Sequence, residues 1–233
     1  MSKGINHFIG AAVFGLALAA SAPSFAVPIT GTSGGTFTNL SGCGGGDCSI
    51  TSSSHVLSWG STSSQHNLRN PSTLTIDTFN INTATNSTNT VIAELTWFNS
   101  STLDSQTPDD FSVHYNLSIH FTAPGNSTTT ETFDLDIINT SNPTGDKIGS
   151  FTLPDLSALV FNLPGVTVSN LHYVADNHST LTNNIWFNKE NNTANLFIEA
   201  DFSAVRPAPE PASLALMGAG LIGFGKLRRR MKR

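Results

Sequence analysis

The sequence predicts an all-β fold, a two-sheet antiparallel β-sandwich of jelly-roll-like kind, flanked by an N-terminal signal peptide and a single C-terminal apolar helix. Three observations predict it. Apolar and polar residues alternate with period two in many short runs. Clusters of Ser, Thr, Asn, Gly and Pro separate the runs, and such residues favour turns over helix interiors. No long stretch of the middle carries apolar residues at the i, i+3, i+4, i+7 spacing, so there are no crossover helices to join parallel strands.

Residues 1–26 open with Lys3, run apolar from Phe8 to Ala20, and end in Ser24-Phe25-Ala26. A basic start, an apolar stretch and a small-x-small cleavage site make a signal peptide, so Sec export is the expected route. The apolar run is shorter than the roughly 20 residues of a permanent span.

Residues 27–203 form the predicted sandwich. Leu74-Thr75-Ile76-Asp77, Phe79-Asn80-Ile81 and Thr132-Phe133-Asp134-Leu135-Asp136-Ile137 alternate, and the run from Val113 to Phe121 is the cleanest strand. Further expected strands are Val56–Trp59, Val91–Phe98, Ile148–Leu153, Val166–Val174, Ile185–Phe187 and Leu196–Phe202. Fifteen Phe and three Trp supply core volume. Residues 204–211 hold three prolines and read as an extended linker.

Charge separates the parts. The whole chain carries −5, but seven of its eleven Lys and Arg lie in the two end segments. Only Arg69, Lys147, Lys189 and Arg206 face the sixteen Asp and Glu of residues 27–211, an excess of twelve negative charges. Such a field repels phosphate, which excludes nucleic acid as a partner.

Cys43 and Cys48 stand in Gly42-Cys43-Gly44-Gly45-Gly46-Asp47-Cys48. In an exported chain the pair reads as a disulfide. Metal is the alternative, but no His adjoins and zinc takes four ligands.

Behind the linker come an apolar stretch, residues 212–225, and a basic cluster, residues 226–233. As a helix the stretch would cover about 21 Å, short of the roughly 30 Å hydrocarbon core unless basic side chains snorkel. Six basic residues hold the terminus on the cytoplasmic side. The order of Pro209-Glu210-Pro211, apolar helix and terminal basic cluster resembles the PEP-CTERM sorting signal of Gram-negative bacteria. The resemblance implies an exosortase, a membrane-embedded cysteine transpeptidase-like enzyme, that recognises Pro209, Glu210 and Pro211 and cuts near them. Residues 212–233 then anchor the chain in the inner membrane only transiently, and the product is at the cell surface or outside the cell.

The middle also resembles the choice-of-anchor K domain over roughly residues 32–202. Leu57-Ser58-Trp59-Gly60, Leu95-Thr96-Trp97-Phe98-Asn99, Phe133 to Thr140 with Asn142-Pro143, and Phe187-Asn188-Lys189-Glu190 carry the resemblance. It implies a β-rich surface domain and no catalytic residues.

No catalytic motif stands out. There is no Gly-x-Ser-x-Gly elbow and no phosphate-cradling Gly loop with its Lys. The expectation is a non-enzymatic protein of the surface, extracellular matrix or biofilm. A carbohydrate-binding module is one alternative, because Trp59, Trp97 and Trp186 could stack on polysaccharide, although such side chains more often fill a core. A secreted hydrolase is the other. His114 and His120 share the outer face of the cleanest strand and read as solvated. Asp134 and Asp136 share a strand face, Asp109 adjoins Asp110, and Asp134, Asp136 and Asp146 are the candidate calcium ligands, against a plainly solvated acidic face. No other cofactor is expected. Asn-x-Ser/Thr triplets begin at Asn39, Asn86, Asn99, Asn116, Asn126, Asn139, Asn177 and Asn191.

Overall fold

Alternation sends successive side chains to opposite faces of a strand, and the apolar faces here close on one another. The structure, a computed structural model, describes residues 26–43, 48–51, 53–60, 70–101, 110–138, 144–149 and 156–205. The described residues form β1 (Pro28–Ser41), β2 (Cys48–Ile50), β3 (Val56–Trp59), β4 (Ser72–Ile76), β5 (Phe79–Ala84), β6 (Ser87–Asn99), β7 (Asp110–Ala123), β8 (Ser127–Ile138), β9 (Asp146–Gly149), β10 (Val166–Ala175), β11 (Ser179–Thr182), β12 (Ile185–Asn188) and β13 (Asn192–Ala204). As the alternation predicts, they make two antiparallel sheets. One has the order β11-β12-β9-β8-β7-β1-β5, the other β10-β13-β6-β4-β3-β2.

The connections depart from the jelly-roll expectation, in which the chain alternates between sheets. β2, β3 and β4 are neighbours in one sheet, and β7, β8 and β9 in the other. A short turn between antiparallel strands returns the chain to the adjacent position. The β11–β12 hairpin shows the chemistry: Thr182 pairs with Ile185, and Asn183 and Asn184 both take positive φ, 52° and 63°. Two left-handed residues make the type I′ turn that matches strand twist.

The cleanest expected strand lies inside β7, where buried and half-buried residues alternate without a break from Phe111 to Phe121. β9 is described as far as Gly149, and the rest of the expected strand Ile148–Leu153 lies outside the described residues. β1, β2 and β11 had no clear alternation. β1 is the instructive one, because it holds Gly31, Gly34 and Gly35 yet lies between β5 and β7. A Cβ on Gly31 would come within 2.5 Å of the His120 carbonyl oxygen, and one on Gly35 would collide with the Asn116 carbonyl oxygen. Glycine in a strand marks such close backbone approach.

Three aromatic groups fill the interior along its length. Trp59, Trp97, Trp186 and Phe111 cluster at one end, with Trp97 and Trp186 centroids 5.2 Å apart. Phe37, Tyr115, Phe133 and Tyr173 occupy the middle. Phe121, Phe161 and Phe202 fill the other end.

Both ends of the sandwich chain meet at that last end. Val27 N–H donates to Thr85 Oγ1 at 2.9 Å. Thr85 N–H donates to the Val27 carbonyl at 2.9 Å, Asn86 N–H to that of Phe202 at 2.6 Å, and Val205 N–H to that of Gly165 at 2.9 Å. The start of β1 and the finish of β13 are thus fastened side by side at what we call the tether end. The opposite, disulfide end carries Cys43 and Cys48.

Candidate functional site

At the disulfide end Cys43 and Cys48 are bridged, with Cα atoms 6.0 Å apart. Cys48 pairs with Trp59 across β2 and β3, so the bridge ties the β1–β2 connection to the strand that holds the tryptophan cluster. Beside it lies a shallow cavity of about 390 Å³, lined by Ser41, Gly42, Asp110, Phe111, Ser112, Asp136 and Ile138. Ser41 Oγ and Ser112 Oγ are 2.8 Å apart, and Ser112 stands opposite Asp136.

The three candidate calcium ligands are not brought together. Asp134 and Asp136 point outward from β8. Asp146 shares the inward face of β9 with Ile148 and is fully buried. Strand parity separates them. Among the described residues no three His, Cys, Asp or Glu side chains converge to hold a metal ion.

The outer face of the seven-stranded sheet is a hydrogen-bonded polar plane. Thr36, Asn116 and Thr132 lie in register across β1, β7 and β8, as do Thr38, His114 and Asp134. Asn116 Nδ2 donates to Thr38 Oγ1 at 2.9 Å and Asn116 Oδ1 accepts from Thr132 Oγ1 at 2.8 Å. His114 Nε2 is 2.9 Å from Asp134 Oδ1, and its Nδ1 is 2.9 Å from Asn39 Nδ2. His120 Nδ1 lies 2.9 Å from Thr128 Oγ1. Both imidazoles therefore stand on the outer face, in contact with polar neighbours.

The outer face of the six-stranded sheet holds its own carboxylates. Asp77 Oδ2 accepts from Thr96 Oγ1 at 2.6 Å. Burial, then the neighbouring Asp77 charge, pushes the Glu94 carboxyl above its ordinary range. Asp176 goes the other way. Burial pushes it up, but donors from Asn195 N–H, Ser179 Oγ and His178 N–H outweigh that and hold it below the usual value. His172 Nε2 lies 3.6 Å from Glu199.

The tryptophans are interior. Trp59, Trp97 and Trp186 are each fully buried, so none offers a face to a sugar. Around them runs a buried amide network that residue spacing did not reveal. Asn188 Nδ2 donates to the Trp97 and Asn192 carbonyls, both at 3.1 Å, and Asn188 Oδ1 accepts from Asn192 Nδ2 at 2.7 Å. Asn99 Nδ2 donates to the Asn188 carbonyl at 2.9 Å. Asn188 belongs to β12 of one sheet and Trp97 to β6 of the other, so the network pins the sheets together. Of the triplet asparagines, Asn99 is buried and Asn116 sits mid-strand, while Asn39, Asn86, Asn126, Asn177 and Asn191 are exposed. Asn139 lies outside the described residues.

Residues 1–25 of the expected signal peptide, Pro209, Glu210, Pro211, the apolar stretch and the basic cluster also fall outside the described residues. Among those described, no helix is long and apolar enough to cross a membrane. What the structure does show is where the tail begins: β13 ends at Ala204, and Val205 is fastened to Gly165 at the tether end. The family model of the PEP-CTERM protein-sorting motif matches residues 207–230. A sorting motif of that kind implies an exported chain handled by an exosortase, destined for the cell envelope or surface. The choice-of-anchor K resemblance finds no counterpart in the family scan, and neither the curated proteins nor the solved structures yield a match.

Proposed function

We propose that this chain is a non-enzymatic surface or matrix protein whose sandwich is the cargo and whose two ends are processing segments. Residues 1–26 take it through the Sec machinery. The tail holds it at the inner membrane until an exosortase cuts near Pro209-Glu210-Pro211. The sandwich, of choice-of-anchor K kind, is then displayed or released. The observation that carries this reading is the sorting-motif match starting two residues beyond Val205, the last described residue. Mass spectrometry of the mature protein from cells with and without exosortase tests it. Loss of residues 1–26 and of the tail, the latter only with the enzyme present, is the expected result. An intact tail in the surface fraction would count against it. The same spectra report the Cys43–Cys48 bridge and any glycan.

A second reading, polysaccharide binding, is favoured by the outer face of the seven-stranded sheet. Its preordered hydroxyl and amide groups match the donors and acceptors of a neutral sugar polymer. Binding to an extracellular polysaccharide that falls on Asn116→Ala supports it, and equal binding by the variant removes it.

A further inference from the structure

The tether end differs chemically from the rest of the domain. Residues 27–28, 85–89, 123–127, 159–167 and 203–205 form it, and none is Asp, Glu, Lys or Arg, although Asp201 Oδ1 accepts from Asn89 N–H at 2.8 Å at its edge. The disulfide end carries Asp110, Asp136, Asp146, Lys147, Lys189 and Glu190. Two of the three exposed large apolar side chains among the described residues are at the tether end: Val160, 75% exposed, and Val205, 55% exposed. Val160 is held there because its neighbour Phe161 packs edge-on against Phe121, centroids 5.7 Å apart. Pro164 abuts Gly125 in the β7–β8 turn. A single exposed valine is ordinary. Two of them mark a charge-poor end at the point where the chain leaves, through Arg206, for an apolar segment.

The tether is short. Six residues, 206–211, separate Val205 from Ala212, where the apolar stretch starts. Even fully extended that path covers at most about 25 Å. Whatever bilayer holds the tail therefore lies within reach of the tether end.

We propose that the tether end is a lipid-docking surface. Val160 and Val205, flanked by Phe161 and Pro164, rest in the headgroup region while the tail is embedded, and the disulfide end faces away from the membrane. Apolar side chains gain by leaving water, and the residues that form this end bring no charged side chain of their own to desolvate, while the Asp201 carboxylate held by Asn89 N–H limits how deep that part can sit. The acidic side chains of the opposite end stay clear of anionic lipid. The proposal rests on the reading that residues 207–230 insert in the membrane before cleavage.

The test uses the full chain reconstituted through its tail into phosphatidylcholine vesicles containing doxyl-labelled lipid. An environment-sensitive dye is placed on Val160→Cys or on Lys189→Cys, the native cysteines being paired. Emission at position 160 should shift to the blue and be quenched by the labelled lipid, and emission at position 189 should do neither. Adding Val205→Asp to the Val160→Cys chain should reduce that quenching while the protein still floats with the vesicles. Equal quenching at both positions, or none at either in a floating chain, overturns the docking surface and leaves tail insertion standing. A chain that does not float overturns both. Protection of position 160 only when exosortase is added makes the end a protein contact and likewise overturns the proposal.

Discussion

Replacing Asn188 by leucine should be among the most damaging single changes in the sandwich. The side chain is fully buried. Its amide donates to the Trp97 and Asn192 carbonyls and accepts from Asn192 Nδ2. Leucine has the same number of side-chain heavy atoms in the same branched arrangement and is somewhat bulkier, so the change removes hydrogen bonds without opening a cavity. Asn192 keeps a bond to the His178 carbonyl, which leaves the Trp97 carbonyl and the inward side of Asn192 as the groups that lose most. Each buried group left short of a partner costs about 1–3 kcal/mol, so about 2–4 kcal/mol is expected for Asn188→Leu. Against a total of about 5–15 kcal/mol for a folded domain that is a large share. With a urea slope of about 2 kcal/mol per molar, the unfolding midpoint should fall by about 1–2 M. The adjacent tryptophan cluster reports unfolding by its own fluorescence. Asn192→Ala, at a half-exposed position, should cost less. A midpoint for Asn188→Leu equal to or above that of the parent chain would refute the claim that the amide network pins the sheets.

Four further substitutions probe the rest. Glu94 is held above its ordinary value, so its contribution is full below the unfolded value and lost as pH rises through the folded one; Glu94→Gln should gain on the parent in melting temperature from pH 4 to pH 7, and parallel curves would count against it. Asp176 is held low, so its contribution is present above the unfolded value and lost as pH falls through the folded one; Asp176→Asn should be less stable than the parent at pH 7 and converge with it in acid, which the same melts would show. Gly35→Ala should destabilise by about 2 kcal/mol or more, since the added methyl meets the Asn116 backbone, whereas Gly34→Ala, with open space around it, should be tolerated; equal urea midpoints for the two would remove the close-approach explanation of β1.

What was legible in the sequence was whatever a few consecutive residues carry between them. The run around His114 and His120 declared its two faces, and β7 has them. Pro209-Glu210-Pro211, the apolar stretch and the basic cluster form one linear signal, and the sorting-motif match covers it as far as residue 230. β1 was hidden because glycine at positions 31, 34 and 35 erases alternation. Its reason for being a strand lies 80 or more residues away in the carbonyls of β7. Asp146 looked like a partner for Asp134 and Asp136 until register turned it inward.

The sequence alone determined the all-β class and the sorting tail, because period-two alternation and a linear processing signal are local properties of the chain. Only the tertiary structure decided which strands are neighbours, that the tryptophans face inward, that Asn188 joins the sheets, and that the start of β1 and the finish of β13 lie side by side. Those outcomes follow from hydrogen-bond register between segments far apart in sequence, and no short stretch of residues encodes its partner.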